Sequence, residues 1–346
     1  MTTRQIEVPN FDIYLNGSKL ANDVKKYISY VMVKDDLDMP SSFSFRYSTV
    51  NLLKGTWQGI DLDMFAIGDR IDIYLGMDKT KELISGSIDS LNVTFGDESS
   101  VEISGFSWLH KLTFGTITKQ YTEKSDSEIA SEIATRENLA AEVDSTDTRY
   151  DSVIQDNQSN FQFLLERAKR ISYELGATEK SLIFRQSQEN KSPVTTLKFG
   201  INLFDFSVTV NNLNQGSSVE VRGWDIFKKE EFSGSASEGD EDSKMGKSES
   251  GFKLSSGKSP IVLQASNPED ISNAKSLARD KYNELLLDFI TGNGQCLGNV
   301  DIRAGKTIEV QGIGKKFSGI YYISSATHTL NSDSYQTQFD VKKTAI

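Results

Sequence analysis

The sequence predicts a mainly β protein with an α+β insert: two tandem related antiparallel β-barrels joined by a small helix-containing domain. Alternating apolar and polar runs, bounded by glycine and acidic turns, fill both ends of the chain. The middle switches to helical periodicity. The same order of turns and strands then recurs in the two outer regions, as duplication of one β-module requires. At 346 residues, 37% hydrophobic and 25% charged, the chain is long enough for two or three domains with cores of their own.

Residues 1–115 read as the first barrel. "FDIYLNG" (11–17) alternates and ends in an Asn-Gly turn, and "KKYISYVMV" and "SSFSFRYS" alternate about the turn-rich "KDDLDMPSS". "IGDRIDIYLG", "ELISGSIDSLNVTF" and "SSVEISGFSWL" complete the set.

Residues 116–202 read as the α+β connector. Ser125 followed by Glu128 is a capping box, opening a short helix with Ile129 and Ile133 on one face. Ser159 and Gln162 repeat the cap, and Phe161, Leu164, Leu165, Ala168, Ile171 and Leu175 form an apolar stripe that Gly176 is expected to stop in the left-handed conformation. Glu166, Arg167, Lys169, Arg170 and Glu174 are expected on a solvated face. "SLIFRQ" and "TTLKFG" then suggest a strand pair beside this helix.

Strand texture returns over 203–346, the second barrel. It is interrupted by a Gly/Ser/charge stretch expected to be a mobile loop (233–259) and by an inserted helix (267–291), capped by Asn267 with Pro268 at its first position and stopped near Gly292. The repeat pairs "VMVKDDLDMPSSFSFRYS" with "VTVNNLNQGSSVEVRGW", then "IGDRIDIYLG…LISGSIDSLNVTF" with "RAGKTIEVQG…KFSGIYYISSATHTL", and finally "SSVEISGF" with "SYQTQFDV".

Several chemistries are disfavoured. With 38 Lys plus Arg against 49 Asp plus Glu, the net charge of −11 opposes specific nucleic-acid binding. Cys296 stands alone, and His110 and His328 lie far apart in strand-like contexts, where a satisfied or surface histidine is the expectation. Glu238, Asp240, Glu241 and Asp242 lack the ligand spacing of a calcium loop. No nucleophile elbow, zinc motif or phosphate loop appears, so no catalytic, cofactor-binding or metal residue is assigned and no cofactor is expected. The N-terminus lacks a basic and apolar leader and no segment approaches a membrane span, so the chain is expected to be made in the cytoplasm without a signal peptide or membrane insertion.

The segments "DNQSNFQFLLERAKRISYELG", "VEVRGWD", "AGKTIEVQGIGKKFSGIYYISSATHTL" and "YQTQFDV", with the earlier "DMPSSFSF", "FAIGDRIDIYLG" and "ISGSI", resemble the phage late control D family. These are baseplate tail-hub proteins, similar also to the hub portion of type VI secretion VgrG-like spike proteins. The resemblance implies a homotrimer whose six barrels form a ring, a structural baseplate hub joining a six-fold inner tube to a three-fold spike. The implied partners are an inner tube protein or tube initiator, a spike expected to be a separate chain, and other baseplate proteins. The implied location is the baseplate of a phage tail or phage-tail-like particle.

Two other classes remain open in the residues. A stand-alone carbohydrate- or protein-binding module would use Trp57, Trp108 or Trp224 for stacking, and a tail-associated peptidoglycan hydrolase would need a carboxylate pair.

Overall fold

Alternation along the first third of the chain produces sheet strands with one face on a core. They are β1 (Pro9–Leu15), the two-residue β2 (Ser18–Lys19), the single-turn helix α1 (Asn22–Lys25), β3 (Ile28–Asp36), β4 (Ser42–Ser48), the short pair β5 (Val50–Asn51) and β6 (Thr56–Trp57), β7 (Arg70–Met77), β8 (Lys79–Thr94) and β9 (Ser100–Ser107). The computed structural model describes residues 8–48, 50–51, 56–57, 64–96, 99–178, 180–211, 218–225, 228–243, 245, 251, 261–264, 271–332 and 334–346. The antiparallel order is β3-β4-β9-β8-β7-β1, and Asn16 and Gly17, at φ 50° and 82°, make the tight turn into β2. Ile13, Val31, Phe45, Ile71, Ile73 and Ile103 fill the inside. Among the described residues the backbone ladder does not run full circle.

A 3₁₀ turn (Trp108–Thr113) leads into the connector, which continues through β10 (Ile117–Ser125), α2 (Asp126–Arg136), β11 (Ala140–Val143), β12 (Arg149–Gln158), α3 (Asn160–Arg170), β13 (Tyr173–Thr178) and β14 (Ser181–Gln186). Both capping boxes form, at Ser125 with Glu128 and at Ser159 with Gln162. Ile129, Ile133, Leu164 and Ala168 pack under Phe184 and Trp108. The end of α3 differs from the expectation: Ser172, at φ 54°, takes the left-handed stop, and Leu175 and Gly176 belong to β13. Antiparallel pairing of β13 with β14 claims these residues for a strand. Arg167 and Glu174, expected in solvent, are buried because each has an ion-pair partner, Asp126 and Arg185 respectively.

The last part comprises β15 (Thr196–Lys198), β16 (Leu203–Val210), β17 (Val219–Asp225), β18 (Glu230–Ala236), β19 (Ile261–Gln264), α4 (Ile271–Leu287), β20 (Ile290–Leu297), β21 (Thr307–Gln311), β22 (Gly319–Asn331) and β23 (Tyr335–Lys343). Its ladder reads β16-β20-β23-β22-β21-β15. "TTLKFG" does not pair with "SLIFRQ"; β15 runs parallel to β21 instead.

Other expectations are corrected here. "VEVRGWD" is not the hairpin partner of β16: β17 forms a separate sheet with β18 and β19, and α4 covers it through Val219, Val221, Ala274, Ala278 and Tyr282. The expected mobile loop begins too early, since Ser233–Ala236 pair with β17 and the next residues form hydrogen-bonded turns, Ser237 N–H donating to Asp240 and Gly239 N–H to Glu241. Residues 244, 246–250 and 252–260 of that loop, and the Asn267–Pro268 cap, lie outside the described residues. The inserted helix ends at Leu287, and Gly292 sits within β20. Glycine is needed there for close packing: a Cβ on Gly292 would lie 2.6 Å from the Ser207 carbonyl oxygen.

The two outer units share topology and register. Gly68 and Gly305, both at positive φ, donate to the carbonyls of Ile88 and Ile323, whose N–H groups return to Asp69 and Lys306. The long strands β8 and β22 carry a bulge at the same step, Ile88/Ser90 and Ile323/Ser325, and β3 and β16 carry one at Ile28/Tyr30 and Leu203/Asp205. Following the pairings makes β3, β4, β7, β8 and β9 equivalent to β16, β20, β21, β22 and β23. Two details of the sequence repeat change. β20 replaces β17 as the counterpart of β4, and Ile84-Ser85-Gly86, expected as a turn, lies inside β8 and is offset from Phe317-Ser318-Gly319, since Ile84 faces Ile73 whereas Gly319 faces Val310.

Core volume is exchanged across equivalent pairs: Phe43 opposite Gly105 in the first unit becomes Gly292 opposite Val341 in the second. A Cβ on Gly105 would stand 2.1 Å from the Ser87 carbonyl oxygen and 2.5 Å from the Phe43 ring. Gly105→Ala is therefore expected to destabilise the chain by ~1–3 kcal/mol in urea denaturation, against about 1 kcal/mol for Ser159→Ala, which loses only a cap.

Candidate functional site

The two outer units meet at a seam where Ser325–Asn331 of β22 pair with Tyr30–Asp36 of β3 and make one continuous sheet. Side chains from both units close it. Leu330 and Tyr335 are buried in the first unit's core, with Val300 packed beside them. The Arg303 Nε donates to Asp35 Oδ2 at 2.6 Å, and the Ser41 hydroxyl donates to the other oxygen at 2.6 Å. Burial alone would raise the Asp35 carboxyl, but the Arg303 guanidinium and the Ser41 hydrogen bond hold it below the usual carboxylate range.

His328 lies at the same seam, fully buried. Its Nε2 is 2.9 Å from the Ile302 carbonyl, which can only accept, so the proton sits on Nε2; Nδ1 then accepts from the Tyr335 or Thr337 hydroxyl. Burial, aided by the Arg303 charge, lowers its pKa to about 4, and the ring is neutral. His110 instead stacks on Phe106 with centroids 4.1 Å apart, and its Nε2 is 3.7 Å from Asp89. The sequence singled out both histidines but not Asp35 or Arg303. Asp35 lies in the charged run Lys34-Asp35-Asp36 and Arg303 just before a glycine turn, so neither stands out in sequence from ordinary turn charges.

A second cluster lies where α4 meets the connector and β22, in a cleft lined by Leu165, Tyr173, Glu189, Asn283, Leu287 and Tyr322. Asp280 accepts from the Ser172 hydroxyl at 3.3 Å, Arg279 pairs with Asp242 at 2.8 Å, and Asn190 donates to the Asp242 carbonyl. Burial, reinforced by Asp242 and Glu174, pushes Glu189 up to about 7; burial and Asp242 likewise push Asp280 up to about 7. The acids of the 238–242 segment thus serve turns and docking: Glu241 accepts from the Tyr282 hydroxyl, and Asp242 holds Arg279. Among the described residues, no group of three or more His, Cys, Asp or Glu is placed to hold a metal ion. Cys296 is buried in the second core. Trp108 is buried, donating to Ser85 Oγ at 3.2 Å; Trp224 is 59% exposed on β17; the Trp57 side chain lies outside the described residues. Trp108, being buried, offers no open stacking face.

The family model for the Alg8 N-terminal domain matches residues 5–332. The chain belongs to that family. No curated protein matches it in sequence. Among solved structures, the fold is similar to the 43 kDa tail protein of prophage MuSo2 from Shewanella oneidensis, with TM-score 0.73 and 10% identity over 96% of this chain and 98% of that one. It is similar to the tail protein from Neisseria meningitidis, with TM-score 0.72 and 12% identity over 97% and 96% of the two chains. An E. coli type VI secretion component, described as structurally similar to T4 tail proteins gp27 and gp5, gives TM-score 0.61 and 12% identity over 96% of this chain and 77% of that one. The resemblance to tail-hub and type VI hub proteins therefore holds at the level of the fold, with its two related β-units.

Arg303→Ala leaves Asp35 charged and unpaired at the seam. Since the two side chains are 27% and 13% exposed, the expected loss is about 2–4 kcal/mol in chemical denaturation rather than the full cost of a wholly buried pair.

The acidic cluster gives a pH dependence of definite sign. Glu189 and Asp280 bind a proton more tightly in the folded chain, with values near 7, than the 4.5 and 3.8 of an unfolded chain. Their contribution is complete below about 4 and is lost as pH rises through about 7. The denaturation midpoint should rise on acidification from pH 8 to 5, and Glu189→Gln with Asp280→Asn should flatten that slope.

Proposed function

We propose that this chain is a structural baseplate hub of a contractile tail or injection system, without chemistry of its own. In this reading it is organised as a first barrel (1–115), a connector (116–202) and a second barrel (203–346). Three copies form a ring that joins a six-fold inner tube to a three-fold spike inside a phage-tail-like particle. The observation that carries the reading is the duplicated unit: five equivalent strands, in the same register with bulges at the same steps, occur twice in one chain. A molecule with two such units presents twice as many equivalent surfaces as it has copies, which is what a junction between six-fold and three-fold partners needs. Similarity in fold to phage tail proteins and to a type VI component supports the setting.

The connector helices support it physically. Their apolar faces are spent on the connector's own core, and they hold side chains fixed rather than presenting a reactive group. Cryo-electron microscopy of the particle that carries this chain is expected to show three copies between tube and spike. Six copies, or a position on the sheath exterior or in tail fibres, would overturn the reading.

A further inference from the structure

The seam inside the chain has an unfilled counterpart. β22 uses one edge for β23; on its other edge Gly319–Tyr322 pair with β21 and Ser325–Asn331 pair with β3. The equivalent strand β8 pairs with β7 through Lys79–Ser87 and with β9 through Gly86–Thr94. Among the described residues, Ser90–Thr94 therefore have no strand on the edge that β3 occupies in the other unit. The equivalent of β3 is β16, and among the described residues its only ladder is with β20, apart from an isolated bridge of Leu203 to Phe199. One molecule thus carries both halves of a second seam, an acceptor edge on β8 and a donor edge on β16.

We propose that β16 of a second copy of this chain adds to the open part of β8, in the register that β3 takes on β22. This deepens the hub reading by naming the surface through which its copies meet. The shared register fixes the ladder. Ser325 faces Asp36 and Leu330 faces Val31 within the chain, so Ser90 faces Asn211 of the neighbouring copy, Leu91 faces Val210, Val93 faces Val208 and Phe95 faces Phe206.

The side chains suit the match. His328 and Leu330 of the formed seam are 0% and 5% exposed, whereas their counterparts Val93 and Phe95 are 39% and 65% exposed; Phe206 and Val208, the counterparts of Val31 and Val33, are partly buried against the second core, and Val210, the counterpart of Asp35, is 41% exposed. Apolar residues stand solvent-facing at the positions that pairing would bury. The Asp35–Arg303 ion pair is replaced by Val210 and Ala66, so no charge is left unpaired on closure. A second copy is favoured over another strand because the bulge at Leu203/Asp205 copies the one at Ile28/Tyr30 that the formed seam already accommodates. Donor and acceptor lie on one chain, so the contact is head-to-tail, and every copy's β8 and β16 edges are covered once the ring closes.

The test uses single-cysteine variants of the full chain, Val93→Cys and Val208→Cys, mixed and mildly oxidised. Val93 is 39% exposed, Val208 is partly buried against the second core and Cys296 is buried, so folding and background are controlled by denaturation and by the unsubstituted chain. The expected result is a disulfide-linked mixed dimer at about tenfold the yield of the Val93→Cys with Thr209→Cys pair, whose second side chain points to the other face of the sheet. Hydrogen exchange at 90–94 and 204–210 should slow on assembly. A three-copy assembly in which this pair does not cross-link overturns the ladder and leaves the hub reading standing. A cross-linked assembly of another copy number does the reverse. A chain that stays monomeric at high concentration, with both edges exchanging freely, overturns the ladder outright.

Discussion

The rest of the architecture depends on the backbone ladder between β3 and β22. Once these strands pair, two cores that could tumble independently are fixed as parts of a single 13-stranded sheet. The pairing is enforced by what sits on it. Asp35 stays charged at the seam only while Arg303 and Ser41 hold it, and His328 stays neutral with both nitrogens bonded. A slip of one residue would turn Val31 and Val33 to solvent and separate these polar partners at once. Register is thus specified twice, by apolar alternation and by buried hydrogen bonds.

The same register constrains how the two units could diverge. Core residues have exchanged sizes in pairs, Phe43 with Gly105 and Gly292 with Val341, while the pairing of each strand with its neighbours has not moved. Growth has occurred at a turn. The link between β3 and β4 spans only residues 37–41, whereas the equivalent link between β16 and β20 holds a whole unit built from β17, β18, β19 and α4. That unit has its own core and docks on the connector through Asp280, Asp242 and their partners, so it adds mass without disturbing the ladder.

These features support a functional reading in which the protein offers surfaces rather than reactive groups. The perturbed acids lie at the docking seam of the inserted unit, and the histidine with the lowered pKa is locked between a carbonyl and hydroxyls. Perturbation of this kind follows from burial and packing, which a rigid assembly component needs as much as an enzyme does.

The sequence by itself determined what depends on neighbours along the chain. Alternation located the strands, Ser125 with Glu128 and Ser159 with Gln162 located the helix starts, Asn16-Gly17 located a hairpin, and the order of motifs disclosed the duplication. Tertiary structure decided what depends on partners distant in sequence. Gly176 looked like a helix stop and Gly292 like another, yet both are strand residues, one paired across β14 and the other pressed against Ser207. β17 had the alternation of a barrel strand and was captured by α4 and β18 instead. Asp35 and Arg303, 268 residues apart, meet only because β22 lies against β3. Local propensity specifies that a segment is extended, but which edge it joins is settled by buried area and by satisfied polar groups, and these exist only once the whole sheet has formed.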